Sequence, residues 1–269
     1  MNQAFVYNSY DFIGFEICNG LLEEGWVVFG ESRDLLTHEK EWEEEKRLLI
    51  GRNGNFHEVN DTPPKIEEPY TLFIPLYDIY IKEINFAKKE LITHPLLSNN
   101  PPSSVVFIIP KRMVHVWNKD EIIFNQFCKQ HQIQTIKFWA PTVYGRWQPH
   151  PFLFAQTLYV KDESCLKNVV DDVTDAIYVN DFVSSMIETI QSNSTGEFLI
   201  KSNQEQEWER VAQLFMSKEK IKHFIHTNES MCYPFQHSIT VKPTRKIKEI
   251  SDEYKRINAY ESLITNEKH

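Results

Sequence analysis

The chain has 269 residues, with 29 Lys or Arg against 38 Asp or Glu, and its formal net charge is −9. This acidic balance excludes a general nucleic acid binder, because such proteins cluster Lys and Arg on one face. At roughly 150 residues per domain, the length predicts one large domain, or one domain with a small appendage.

The sequence lacks the signatures of secretion, membrane insertion and metal binding. Residues 1–6 have neither a basic region nor a long apolar run, so we expect no secretory signal. The longest uncharged run, 91–110, carries Pro95, Pro101 and Pro102 and is not a membrane span. The four cysteines show no Cys-x-x-Cys or Cys/His spacing, so neither a disulfide framework nor a metal site is predicted. We predict a cytoplasmic protein.

Residues 4–30 predict a strand, a helix and a second strand. An apolar run at 4–7 is followed by apolar residues at near-helical spacing between 12 and 22. Gly25 stands where the end of a helix favours a left-handed residue, and a second apolar run, 26–29, follows at once. Two such runs joined by a helix indicate a parallel pair of strands.

Further apolar runs at 70–75, 105–109 and 135–139 continue this alternation. It predicts an α/β fold with a Rossmann-like, doubly wound parallel sheet. After residue 145 the pattern is less regular. We therefore assign 1–145 to the sheet domain and 146–269 to a smaller C-terminal lobe that is interleaved with it.

Four short segments stand out along the chain. They are Asp-Phe-Ile-Gly at 11–14 with Leu-Leu-Glu-Glu-Gly at 21–25, Pro-Thr-Val-Tyr-Gly at 141–145, Asp-Ala-Ile-Tyr-Val-Asn-Asp at 175–181, and Gly-Glu-Phe-Leu at 196–199. In sequence and in order they resemble the extended short-chain dehydrogenase/reductases, the NAD-dependent epimerase/dehydratase family. The resemblance covers most of the chain and implies an NAD(P)-binding first domain followed by a substrate lobe.

The resemblance places cofactor contacts in the first turn, which we define as residues 8–14. The family pattern Gly-x-x-Gly-x-x-Gly reads Asn8, Asp11 and Gly14 here, with Phe12 and Ile13 supplying backbone N–H groups. A carboxylate at Asp11 would repel a pyrophosphate by about 4 kcal/mol at ~4 Å and an effective dielectric constant near 20. Alternatively, the Asp11 side chain caps the helix that follows, which is the interpretation we favour.

At the end of the second strand the resemblance is compatible with NADP as the cofactor. Ser32 and Arg33 stand where family members that prefer NAD place an acid. An arginine at that point favours the 2′-phosphate of NADP. Alternatively, Arg33 is an ordinary surface residue with no role in cofactor binding.

The catalytic groups that the resemblance implies are largely replaced. The family's Tyr-x-x-x-Lys falls on His115 and Lys119, and the preceding hydroxyl position falls on Pro110. His115 can exchange protons near neutral pH, whereas Pro110 has neither a hydroxyl nor an N–H. His115 and Lys119 are alternatively ordinary helix residues.

The remaining implied positions concern substrate and partners. Tyr144 begins the family's substrate loop, and Arg245, in a basic cluster from 242 to 248, matches an arginine that holds the diphosphate of nucleotide sugars. A solvated charge cluster is the alternative. The family's dimer helix corresponds to about 117–130 and predicts a homodimer, and a separate protein partner fits as well.

The sequence favours a pseudoenzyme, which means an epimerase/dehydratase-like protein that acts in binding, scaffolding or regulation, with a residual nucleotide pocket and no required cofactor. The first turn, the hydroxyl position and the tyrosine position all depart from the family pattern. The alternative is an NADP- or NAD-dependent reductase or nucleotide-sugar epimerase/dehydratase in which His115 and Lys119 transfer protons.

Overall fold

A computed structural model gives the fold of the chain. It describes residues 2–32, 40–59, 66, 69–81, 100–114, 125–159, 166, 169–227, 235 and 237–267.

The described elements alternate between strands and helices along most of the chain. The strands are β1 Gln3–Tyr7, β2 Val27–Glu31, β3 Phe56–Val59, β4 Tyr70–Ile74, β5 Ser104–Pro110, β6 Gln134–Ala140, β7 Thr142–Tyr144, β8 Ala176–Tyr178, β9 Gly196–Ser202 and β10 His237–Val241. The helices are α1 Phe12–Glu23, α2 Lys40–Ile50, α3 Leu76–Ile81, α4 Leu153–Tyr159, α5 Val179–Gln191, α6 Glu207–Ala212, α7 Lys218–Thr227 and α8 Ile247–Glu267.

Eight strands form one sheet in the order β10-β9-β6-β5-β4-β1-β2-β3. The pairings from β3 across to β9 are parallel; Phe5 of β1, for example, lies opposite Phe29 of β2 on one side and Leu72 of β4 on the other. Strands β4 and β5 are buried along their whole length, as expected for a sheet covered on both faces. The predicted Rossmann-like α/β fold is confirmed.

The strand order reverses at β1, which lies between β2 and β4. In open α/β sheets, ligands bind beyond the carboxyl ends of the strands at such a reversal. The groups that follow β1, β2 and β4 are therefore the ones that decide what this edge of the sheet can bind.

Helix α1 follows the predicted pattern closely. It is buried at Phe12, Ile13, Ile17 and Leu21, among others. It ends before Gly25, whose φ of 74° is the left-handed conformation expected there.

The chain divides into two compact units that alternate along the sequence. The first comprises residues 1–140, 183–199 and 234–238, and the second comprises 141–182, 200–233 and 239–269. The first unit contains most of the large sheet. The second contains the parallel pair of β7 and β8 and an aromatic core in which Phe154 contacts Tyr144, Trp208 and Phe215.

No helix in the described segments is both long enough and apolar enough to cross a lipid bilayer.

Candidate functional site

The first turn joins β1 to α1 and adopts the backbone that the sequence predicts. Asn8 has a φ of 52°, in the left-handed region. The Asn8 carbonyl accepts a hydrogen bond from the Asp11 N–H at 3.0 Å, and Ser9 donates its N–H to the Glu31 carbonyl at 2.9 Å. A Cβ on Gly14 would stand 2.2 Å from the Asn8 carbonyl oxygen, so the turn requires glycine there.

The predicted cap by the side chain of Asp11 is wrong. Asp11 does occupy the N-cap position of α1, with φ −71° and ψ 179°, but its carboxylate makes no capping hydrogen bond. The residue is 5% exposed. Capping preference is a local statistic, and here a residue from elsewhere in the fold takes the helix N–H groups instead.

That residue is Asp78, in the first turn of α3. Its Oδ2 accepts hydrogen bonds from the N–H groups of Ile13 at 2.9 Å and Gly14 at 3.1 Å. Asp78 is 0% exposed. A carboxylate on the first free N–H groups of a helix is favoured both by the charge-assisted hydrogen bonds and by the helix dipole.

A buried lysine supports the same turn from α2. Lys46 is 3% exposed, and its Nζ donates to the carbonyls of Tyr10 at 2.7 Å and Asp11 at 3.3 Å. Its ammonium also lies 5.6 Å from the centre of the Phe15 ring. The Lys46 ammonium thus lies against two backbone carbonyl groups of the first turn.

The end of β2 carries an acid that the sequence analysis did not assign. Glu31 is the last residue of β2 and is 7% exposed. In dinucleotide-binding folds an acid about 20 residues after the glycine-rich turn binds the ribose hydroxyls. In the sequence, this role of Glu31 could have been predicted from its position as the last residue of the strand. Ser32 donates its hydroxyl to Glu43 at 3.3 Å, and Arg33 lies outside the described residues.

The arginine that the structure does show near this end is Arg47. Its guanidinium pairs with Glu43 at 2.7 Å and Glu58 at 2.6 Å and lies 5.0 Å from the centre of the Tyr10 ring. Burial raises the pKa of Tyr10 well above its usual range, and Glu58 adds to that rise while Arg47 opposes it.

Pro110 ends β5 at the position where the resemblance expects a hydroxyl. It is buried and lies opposite Ala140 of β6, and a short 3₁₀ turn over residues 111–113 follows. His115 and Lys119 lie outside the described residues, as does 117–124 of the predicted dimer helix; residues 125–130 are helical.

Tyr144, predicted to contact substrate, is fully packed inside the second unit. Its ring centre lies 5.6 Å from that of Tyr178 and 5.8 Å from that of Phe154. Burial raises the pKa of the Tyr144 phenol well above its usual range, with the carboxylate of Glu207 as the next cause. Tyr144 is 1% exposed, and its ring packs against those of Phe154 and Tyr178.

Arg245, the second predicted substrate residue, is already paired within its own unit. Its guanidinium lies 4.4 Å from the centre of the Tyr178 ring and forms an ion pair with Glu253. The Tyr178 hydroxyl donates to the same carboxylate at 2.9 Å. Glu253, which no sequence pattern pointed to, therefore neutralises the arginine.

Metal ligands do not converge in the described parts of the chain: no group of three His, Cys, Asp or Glu side chains there could hold an ion.

Comparison with known proteins gives matches among solved structures only. No protein-family model and no curated protein match the sequence. The UDP-glucuronic acid 4-epimerase of Bacillus cereus, in complex with NAD, is 12% identical, with 96% of this chain and 99% of that chain covered at a TM-score of 0.62. Vestitone reductase from alfalfa is 13% identical, with 97% and 99% covered at a TM-score of 0.60.

The protein has the same fold as this epimerase and this reductase. The resemblance drawn from the four sequence segments is thereby confirmed at the level of the fold. A yeast methylglyoxal/isovaleraldehyde reductase complexed with NADPH matches at a TM-score of 0.57, with 14% identity over 97% of this chain and 99% of that chain.

The first turn does not fit the dinucleotide that this epimerase and reductase fold implies. Such folds bind a pyrophosphate through N–H groups at the start of the first helix. Here the N–H groups of Ile13 and Gly14 are bound to Asp78, and Asp11 is a second buried acid in the same turn. Among the described residues, Glu31 has a side chain suited to the ribose hydroxyls of such a dinucleotide.

Proposed function

We propose that the protein uses the epimerase/reductase fold as a non-catalytic scaffold in binding or regulation. The observation that carries this proposal is Pro110. The resemblance requires a hydroxyl at the end of β5 to take part in proton transfer, and a buried proline there offers neither an O–H nor an N–H.

The state of Arg245 supports the same proposal. An arginine that recognises a diphosphate presents its N–H groups to the ligand. In this chain the guanidinium stacks on Tyr178 and pairs with Glu253, which also accepts the Tyr178 hydroxyl. A diphosphate would have to compete with a carboxylate held in place by two partners.

The second candidate is a nicotinamide-dependent reductase or nucleotide-sugar epimerase/dehydratase, with His115 and Lys119 in proton transfer. The comparisons taken alone favour this candidate, because the matched structures are of enzymes and two of them contain NAD or NADPH. Glu31 favours it too, as an acid suited to ribose hydroxyls.

Turnover measurements on the full chain separate the two candidates. Oxidation of NADH and NADPH is followed with methylglyoxal as substrate, and epimerisation of UDP-glucuronic acid with NAD is followed by chromatography. We expect no turnover above the protein-free rate. Turnover that disappears in His115→Phe and Lys119→Met, and persists in the control Lys201→Met at an exposed position, would establish the enzyme.

For the assembly we propose a homodimer through the helix near 117–130. Light scattering on the purified chain tests this proposal, with a dimer mass as the expected result and a monomer mass at all concentrations as the contrary one.

A further inference from the structure

We infer that Asp78 is an internal ligand of helix α1, and that it holds the dinucleotide site closed. This inference goes beyond the proposed function, which concerns chemistry and not cofactor binding. It predicts that the protein does not bind a nicotinamide dinucleotide, even though enzymes of the same fold have been solved with NAD or NADPH.

The geometry of the contact is that of a bound anion. One oxygen of Asp78 accepts N–H groups from two consecutive residues, Ile13 at 2.9 Å and Gly14 at 3.1 Å. The first N–H groups of a helix have no partner within the helix. The Ile13 N–H is one of the two donors that the resemblance assigns to the pyrophosphate, so Asp78 and a dinucleotide compete for this group.

Burial makes this competition unequal. Asp78 and Ile13 are both 0% exposed, and Phe12 is 3% exposed. A phosphate that took over these N–H groups would leave the Asp78 carboxylate without them, in a place that water does not reach. The displaced carboxylate would then lie beside a ligand of the same charge sign.

The segment that carries Asp78 is fixed in the fold. It follows β4, which is buried throughout and pairs with β1 from Gln3 to Val6. The first turn of α3 is anchored by Leu76, Tyr77 and Ile79, none of them more than 2% exposed. The Asp78 N–H donates to the Pro75 carbonyl at 3.2 Å, which adds a backbone hydrogen bond at the start of α3.

Asp11 is a second acid at the first turn and is 5% exposed. The Lys46 ammonium donates to the backbone carbonyls of Tyr10 and Asp11 in the same turn. A pyrophosphate bound in this turn would therefore bring two further negative charges close to the acids Asp11 and Asp78.

Binding measurements on variants of Asp78 test the inference. The full chain, Asp78→Asn and Asp78→Ala are titrated with NAD, NADP and inorganic pyrophosphate by calorimetry and by the shift in melting temperature. For the unaltered chain we expect no saturable binding up to the highest concentration tested. For the variants we expect a dissociation constant at least about tenfold below that concentration, which corresponds to 1.4 kcal/mol. Asp171→Asn, at a second buried aspartate that caps a backbone N–H, is the matched control and is expected to stay inert.

Two results would overturn the inference. One is saturable binding of NAD or NADP by the unaltered chain, seen also as added protection of the Ile13 and Gly14 amides from hydrogen exchange; this needs no variant. The other is a folded Asp78→Asn or Asp78→Ala protein that binds no better than the unaltered chain.

The outcomes also separate the inference from the proposed function. Binding by the unaltered chain without turnover removes the inference and leaves the proposed function standing. Conversely, an Asp78→Asn protein that gains both binding and turnover supports the inference and removes the proposed function.

Discussion

The indole N–H of Trp208 donates to Oδ1 of Asp171 at 2.8 Å, and the other oxygen of the same carboxylate accepts the Leu153 N–H at 2.8 Å. Both partners are 0% exposed and Asp171 is 4% exposed. One carboxylate thus joins the start of α4 to α6 inside the second unit.

We expect Asp171→Ala to lower the free energy of unfolding by about 3 kcal/mol, because it leaves two buried N–H donors without an acceptor. Urea denaturation measures the change. Asp252→Asn is the control, since Asp252 is 42% exposed and its ammonium partner on Lys255 is 3.8 Å away; a change of less than about 0.5 kcal/mol is expected there. Equal decreases in the free energy of unfolding in the two variants would contradict this role of Asp171.

Gly14→Ala should destabilise the first turn. The added Cβ would lie 2.2 Å from the backbone oxygen of Asn8, which cannot move away as a flexible side chain would. We expect a loss of about 3 kcal/mol in the free energy of unfolding. In Gly54→Ala the new Cβ meets nothing within 4 Å, so this variant should retain nearly full stability in the same denaturation assay.

Glu197→Ala should cost more stability than its exposure suggests. Its side chain is 41% exposed, but it pairs at 2.8 Å with Lys137, whose side chain is 7% exposed, and it accepts the Trp139 indole N–H at 3.3 Å. Removing it takes the carboxylate partner away from a buried ammonium, and we expect the free energy of unfolding to fall by about 2 kcal/mol. Adding Lys137→Met should recover part of this loss, and a double variant no more stable than Glu197→Ala would argue against the mechanism.

Glu207 makes stability depend on pH. Burial raises the pKa of its carboxyl above the ordinary value of 4.5, and the nearby Arg210 only partly opposes this. The folded protein therefore holds a proton that the unfolded chain releases, and the free energy of unfolding falls as pH rises from 4.5 through the folded-state pKa. Urea denaturation over this range should show the fall in the unaltered chain and in Glu205→Gln, and its absence in Glu207→Gln.

The strands of the sheet could be predicted from the sequence because each buried strand is a nearly unbroken apolar run. The runs at 4–7, 70–75 and 105–109 became β1, β4 and β5, and Gly25 ended α1 as predicted. These features depend on residues close together in the chain, where period and turn chemistry are visible.

The side-chain contacts of the candidate site residues could not be predicted from the sequence in this way. Asp78 reaches Ile13 across 65 residues, and Glu253 meets Tyr178 across 75. A lone acid carries no local signal of such a partner. The cap by Asp11 was predicted wrongly for this reason, since a competing carboxylate is visible only once β1 and β4 are known to be neighbours.

The chain passes from one unit to the other five times, the first after Ala140 and the last after Ser238. No single cut of the polypeptide can therefore release either unit intact. Deleting residues from 239 onward would take part of β10 and all of α8 from the second unit while sparing the first. Truncated chains would therefore contain incomplete units. Either unit is better studied with point variants of the full-length chain.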